Sequence, residues 1–188
     1  MSLFKKIVAA QTSGQIVRVY RDEERVDGFV TAVGKTFFIL EIFSETIHLN
    51  GFNCFRFEDV EDCEVPAPNE AFKLKVLQAR KIQRTPAPNI DLASTSALLK
   101  SAAQAFPVAT IHLKYDDEDD AYDEDLSDVC YIGKIMEVNS TEVTLHEILP
   151  DAEWNNERTT YPLELIDRVD FAGGYEEALL LVAPPLSD

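Results

Sequence analysis

Hydrophobic residues follow a helical spacing in two short stretches of the chain, 3–8 and 98–103. The apolar stripes of these stretches are Leu3, Phe4, Ile7 and Val8, and Leu98, Leu99, Ala102 and Ala103. Because residues three and four positions apart share one face of a helix, each stretch predicts a short amphipathic helix. Ser94 or Ser96 is a suitable N-cap for the second helix, and Pro107 ends it.

Each predicted helix is followed by β-branched, alternating sequence that is typical of strands. The first strands are expected at 16–20 and 111–115, and predicted hairpins follow at 28–40 and 133–145. Gly34 and Asn139 take the same turn position in these hairpins, where we expect a positive φ.

Sharp bends are expected in the second strand of each series, because Gly28 and Gly133 interrupt the two strands. Fourth strands are predicted around 52–57 and 159–163, and a similar segment follows each of them, at 58–65 and 164–171. The last apolar strands are predicted at 71–79 and 178–183. A helix followed by about five bent strands in about 80 residues predicts a small closed or nearly closed barrel.

The two series of elements form an internal repeat. Leu3 corresponds to Leu98 and Ile16 to Ile111 at an offset of 95 positions, and Gly28 corresponds to Gly133 at an offset of 105. A later part of the repeat matches at an offset of 106 positions. We therefore predict two domains, at 1–79 and 96–188, joined by a linker at 80–95, with an insertion of about ten residues in the second copy.

The charge of the chain is concentrated in the second copy. The whole chain carries a formal net charge of -17, of which residues 1–95 contribute -1 and residues 96–188 contribute -16. A field this negative repels phosphate backbones and attracts basic partners. Nucleic acid is therefore disfavoured as a partner, and a basic protein is favoured.

Neither a membrane segment nor a cysteine framework is indicated. The longest apolar runs fall short of the roughly 18 to 20 residues needed to cross a bilayer. Cys54, Cys63 and Cys130 form no CxxC pair and are odd in number, which predicts neither a disulfide framework nor a zinc site. A reducing cytoplasm is the simplest location for such a chain.

The order of a short helix and five bent strands, with a glycine in the second strand, resembles the Sm-like family of SH3-type barrels in both copies. The resemblance implies two tandem Sm-like barrels that assemble through exposed strand edges. RNA-binding members of the family carry an Asp and an Asn around the hairpin, but residues 33–36 and 138–141 lack that pair. Members also carry an Arg-Gly or Lys-Gly turn, in place of which this chain has Asn50-Gly51 and 158–160. The resemblance therefore extends to the fold and not to RNA binding.

An acidic segment at 116–128 is the most conspicuous local feature, with 9 carboxylates in 13 residues. One interpretation is a surface for a basic protein, with Tyr122 and Leu126 as small apolar anchors. The residues proposed for this contact are Asp116, Asp117, Glu118, Asp119, Asp120, Tyr122, Asp123, Glu124, Asp125 and Trp154. The alternatives are a solvated loop that aids solubility, and loose binding of a divalent cation, although the EF-hand glycine is missing.

Aromatic residues in loops supply a second candidate contact. Trp154, the only tryptophan, lies in a polar stretch, where it either contacts a partner or covers part of the core. Phe52 is expected in the corresponding loop of the first copy. A basic cluster is expected to contact either nucleic acid or the acidic second repeat of its own or another chain. It comprises Lys73, Lys75, Arg80, Lys81 and Arg84.

The sequence thus predicts a non-catalytic interaction or scaffolding module that needs no cofactor or metal and binds a basic partner. Self-association through strand edges is a further expectation. One alternative is an RNA-binding Sm-like protein. The other is an enzyme whose site residues are dispersed in sequence, including His48, His112 and His146.

Overall fold

A computed structural model describes residues 1–21, 24–114 and 130–186, and in it the chain forms two compact units. The first unit comprises Met1–Ala93 and the second Ser94–Asp188. Both are mainly β, and each is led by a helix. In the described residues no helix combines the length and apolar composition that a membrane-spanning helix needs.

The first unit is an antiparallel sheet of five strands between two helices. Its elements are α1 (Leu3–Ser13), β1 (Ile16–Arg21), β2 (Glu24–Val33), β3 (Phe37–Phe43), β4 (Leu49–Arg56), a 3-10 turn (Phe57–Asp59), β5 (Asp62–Glu64) and α2 (Glu70–Arg80). The strands are ordered β5-β1-β2-β3-β4. Pairing in the described residues does not join β5 to β4, so the sheet is open.

The second unit repeats this order. Its elements are α3 (Thr95–Ala105), β6 (Ala109–Leu113), β7 (Cys130–Val138), β8 (Glu142–Ile148), β9 (Trp154–Pro162), a 3-10 turn (Leu163–Leu165), β10 (Ile166–Phe171) and α4 (Gly174–Val182). The strands are ordered β10-β6-β7-β8-β9. The hydroxyl of Ser94 caps α3 by accepting a hydrogen bond from Ala97 N at 3.1 Å.

Helices cover both faces of the first sheet. On one face, Ile7 and Ala10 of α1 pack with strand residues that include Val19 and Phe38. On the other, Leu77 of α2 packs with a smaller set that includes Ile16. Since neighbouring strand residues point to opposite faces, β1 contributes side chains to both clusters.

The two sheets bend at equivalent places. The register of β2 on β3 shifts between Val30 and Ala32, and that of β7 on β8 shifts between Ile135 and Glu137. A Cβ atom added to Gly28 would lie 2.8 Å from Glu41 O, and one added to Gly133 would lie 2.6 Å from His146 O. Glycine is therefore required because backbones approach closely beside each bulge.

The repeat is present, but its first part has a different offset from the predicted 95. Val19 pairs with Cys63, and Ile111 pairs with Val169, which makes Ile111 the counterpart of Val19. The offset of β1 and β6 is thus 92, the same as that of α1 and α3. It rises to 105 at Gly28 and Gly133, so the connection between the first two strands is 13 residues longer in the second unit.

The last apolar segments, predicted as strands at 71–79 and 178–183, are helices. The fifth strand of each unit lies earlier, in the segments 58–65 and 164–171 that the repeat had paired. Glu70 of α2 accepts a hydrogen bond from Ile16 N, and Glu176 of α4 accepts one from Thr110 Oγ1, both at 2.7 Å. Each helix is thereby joined at its first turn to the first strand of its own sheet.

The hairpin turns do not use a positive φ at Gly34 or Asn139. A Cβ atom on Gly34 would lie 2.7 Å from Leu92 Cβ, so lack of space excludes a side chain there. Asn139 instead uses its side chain, since its Oδ1 accepts hydrogen bonds from Thr141 N and Glu142 N, both at 2.8 Å. Its role is that of an Asx turn.

Candidate interaction surface

The acidic segment 116–128, and with it every proposed contact residue except Trp154, lies outside the described residues. Within the described part of the second unit, further carboxylates are exposed. They are Glu137, Glu142, Asp151, Glu153, Glu157, Glu164 and Glu177. No ion pair within the described residues involves any of these seven carboxylates. The described surface of the second unit thus carries uncompensated negative charge.

Trp154 is half-buried and is held from two sides. Its Nε1 donates a hydrogen bond to Pro184 O at 2.9 Å, and its ring contacts the imidazole of His146 edge-on, with 5.5 Å between centroids. It packs on the apolar cluster of Ile148, Ala152 and Leu179. The side chain therefore covers core residues, and part of it is accessible to solvent.

The counterpart of Trp154 in the first unit is Leu49, and not Phe52 as the sequence suggested. Leu49 pairs with Phe43 as Trp154 pairs with Ile148, one residue past equivalent bulges. Leu49 likewise packs beside α2. Phe52 is buried and pairs with Glu41, so it is a core residue.

The predicted basic cluster is largely engaged within the first unit. Lys73 lies on α2 and is buried, and its Nζ donates hydrogen bonds to Asp27 and to Pro68 O. Arg18 forms a bidentate pair with the same Asp27 carboxylate, at 2.6 and 2.8 Å. Burial alone would raise the pKa of Asp27, but the hydrogen bonds and charges of Arg18 and Lys73 outweigh it and lower that pKa.

Two arginines that follow Lys73 also bind their own unit. Arg80 donates to Thr46 O at 2.6 Å, and the guanidinium of Arg84 lies 4.4 Å above the ring of Phe29. The backbone N–H of Thr85 donates to the buried Glu41 carboxylate at 2.7 Å. Residues of the predicted linker thus lie against the first sheet.

Two groups of buried or partly buried polar side chains in the second unit are hydrogen-bonded. The Tyr161 hydroxyl donates to Glu147 at 2.7 Å, and burial together with this carboxylate raises the pKa of Tyr161. His112 Nε2 lies 2.8 Å from Asp170 Oδ2, to which Arg168 also donates. Each carboxylate has a donor, which is the arrangement expected of structural polar groups.

The three histidines have different neighbours. His48 Nδ1 lies 3.2 Å from the guanidinium of Arg80, and His146 Nε2 donates to Asn155 O at 2.8 Å.

Burial raises the pKa of the Cys63 thiol, which is the opposite of what a nucleophilic cysteine requires. Among the described residues, no three His, Cys, Asp or Glu side chains are grouped so that they could hold a metal ion.

An outer strand in each unit has a single partner. In the described residues β9 pairs only with β8, and β5 pairs only with β1. β9 spans nine residues, of which Asn156, Glu157, Arg158, Thr160 and Pro162 are exposed. Backbone groups on the outer side of such a strand are available for pairing with another chain.

Comparison with protein-family models, with curated proteins and with solved structures finds no match for the chain.

Proposed function

We propose that the chain is a non-catalytic protein-interaction or scaffolding module whose second unit binds a basic protein. The observation that carries this proposal is the charge difference between two units of the same architecture. The first has a net charge of -1 over residues 1–95, and Arg18, Lys73 and Arg80 are used in contacts within it. The second has -16 over residues 96–188, and its described exposed carboxylates make no ion pairs.

A negative field on one unit favours association with a basic partner over association with nucleic acid. Phosphate backbones need positive charge on the protein, and binding to them weakens with salt because counterions are released. The cations that a phosphate would contact are few in the second unit, and Arg168 is committed to Asp170. Basic proteins meet complementary charge there.

The fold proposed for each unit is a bent, incompletely closed Sm-like barrel. The leading helix, the five antiparallel strands, the paired bulges and the crowded glycine of the second strand support this proposal. The helix after the fifth strand is an addition to the pattern on which the resemblance was based. Self-association through the outer strands β5 and β9 belongs to the same proposal.

Binding to a lysine-rich peptide, measured at low and high salt, tests the proposed function. The variant that tests the acidic segment replaces its nine carboxylates within 116–128 by Asn and Gln, which keeps its length. We expect the native chain to bind and the variant to bind about tenfold or more weakly. Native chain that shows no affinity even at about 50 mM salt would refute the proposal.

A parallel binding measurement with nucleic acid tests the competing function, RNA binding. Single-stranded RNA should show no binding under the same low-salt conditions, where phosphate contacts are strongest. Light scattering on the same samples measures whether copies associate. If replacing the carboxylates within 116–128 leaves the affinity for the peptide unchanged, the acidic segment is not the contact. The contact is then assigned to the exposed carboxylates among the described residues of the second unit.

A further inference from the structure

Helix α4 exposes an apolar face that the described residues of its own unit leave open to solvent. Tyr175 is 56% exposed, Leu181 84% and Val182 70%, and Ala178 between them is also exposed. At 100° per residue these four side chains occupy one arc of the helix. The buried Glu176 and Leu179 lie on another side of α4, where they contact Thr110 and the Ile148 cluster.

This face is larger than the folding of the unit requires. An isolated exposed apolar residue is common, but a contiguous patch on one helix marks an interaction surface. Burying one aliphatic side chain of this size contributes roughly 1.5 to 3 kcal/mol. Leu181 and Val182 therefore supply a substantial gain to whatever covers them.

The charges on α4 indicate what covers the patch. Its first turn contains Glu176 and Glu177, its last turn contains no cation, and Glu177 is exposed beside the apolar arc. The negative end of the helix dipole therefore lies next to Leu181 and Val182 without a cation of its own helix nearby. The described residues of this unit, α4 included, hold 11 carboxylates against 5 cations, a net charge of -6.

The corresponding helix of the first unit provides an internal comparison. α2 also exposes apolar side chains, Phe72 at 58% and Leu74 at 43%. However, it ends in Arg80 and exposes Lys75 and Lys81. The two helices thus share apolar exposure and differ in charge.

We infer that the exposed face of α4 is the docking site for a basic amphipathic helix of the partner protein. This inference rests on the proposed function and assigns it a site. Helices dock their apolar stripes by interlocking side chains, with lysine or arginine at the margins of the stripe. A second copy fits less well, because it brings a further charge of -17 to the contact.

A synthetic peptide probe tests the assignment. It has about 18 residues, or about five helical turns, with leucines on one face and lysines on the other. A scrambled peptide of equal composition and charge is its control. The protein variant is the double substitution L181S/V182S, and F72S/L74S is the matched control on α2. None of these substitutions changes the charge of the chain.

The native chain should bind the amphipathic peptide more tightly than the scrambled one. L181S/V182S should lose about tenfold or more of that affinity, whereas F72S/L74S should stay within about twofold. Because the four substituted side chains are exposed, the unfolding midpoints should match that of the native chain.

Three outcomes would overturn the assignment. If L181S/V182S binds like the native chain while both peptides still bind, the α4 site is wrong and the acidic interaction stands. If neither peptide binds the native chain at low salt, the proposed function fails with it. If light scattering shows a dimer that L181S/V182S abolishes, a second copy occupies the face instead.

Discussion

His112 occupies in the second unit the position that Tyr20 occupies in the first. Tyr20 pairs with Asp62 across the strands, and His112 pairs with Arg168, at equivalent register. Each aromatic side chain contacts a carboxylate on the fifth strand of its own sheet, Glu64 or Asp170. Both units thus have a side-chain contact between the first and fifth strands at the same position, but a tyrosine makes it in one unit and a histidine in the other.

Asp170→Asn should destabilise the second unit, because His112 and Arg168 would lose a partly buried carboxylate partner. We expect a loss of about 2 kcal/mol in the free energy of unfolding. Trp154 is the only tryptophan, so its fluorescence during urea unfolding reports this unit. The control is Glu64→Gln, which lies in the first unit and should leave the fluorescence transition in place. Equal midpoints for native and Asp170→Asn chains would contradict a stabilising role.

Asp27→Asn should destabilise the first unit by about 3 kcal/mol, because two partly buried cations would face each other without their carboxylate. The folded pKa of Asp27 lies below its unfolded value. Its stabilisation is therefore complete above the ordinary pKa of about 4 and is lost as pH falls through the folded pKa. Urea unfolding followed by far-UV circular dichroism should show the two chains converging in acid.

The control for that substitution is Asp62→Asn, which removes an exposed partner of Lys6. Exposed ion pairs contribute little, so its unfolding midpoint should remain close to the native one. A difference between native and Asp27→Asn chains that does not shrink as the pH falls below the ordinary Asp pKa of about 4 would contradict the assignment to ionised Asp27.

Gly133→Ala and Gly28→Ala should each lower stability by roughly 1 to 3 kcal/mol, because the added methyl group meets a neighbouring backbone carbonyl. Only Gly133→Ala should shift the Trp154 fluorescence transition.

Gly14 provides a comparison in which backbone conformation, and not lack of space, disfavours a side chain. Its φ is +71° and nothing lies within 4 Å of an added Cβ, so Gly14→Ala should cost about 1 kcal/mol in backbone strain.

Trp154→Phe should remove the hydrogen bond to Pro184 O and part of the packing on the Ile148 cluster. We expect a loss of roughly 1 to 2 kcal/mol, measured by thermal unfolding with circular dichroism. Asn156→Ala, on the exposed surface of the same strand, is the matched control. A Trp154→Phe chain as stable as the control would show that the indole does not hold the chain after α4.

The sequence predicted the hairpins and their order because bulges, glycines and turns recur at fixed positions in both units. It misaligned the first strands of the two units by three residues, because the identity of Ile16 and Ile111 outweighed the strand register. An odd shift exchanges the two faces of a strand, and Ile16 and Val19 do belong to clusters on opposite faces.

The terminal helices were mistaken for strands for two different reasons. In α2, alternating Phe72, Leu74 and Val76 resemble the pattern of a strand. One of the two buried helical positions is Leu77, but the other is a lysine that pairs with Asp27. In α4, the run from Leu179 to Val182 is apolar on both the buried and the exposed side. Hydrophobic periodicity disappears when a helix is apolar both on the face that packs inward and on the face exposed to solvent.

The segment after α2 sets where the first unit can be cut. Thr85 caps the buried carboxylate of Glu41, Arg84 shields Phe29, and Leu92 rests against Gly34. A fragment that ends at residue 79 would leave the Glu41 carboxylate without the Thr85 hydrogen bond and would expose the Phe29 ring to solvent. We therefore expect it to aggregate. A fragment extended to Ala93 retains its own cover and is the piece to express for dissecting the two halves.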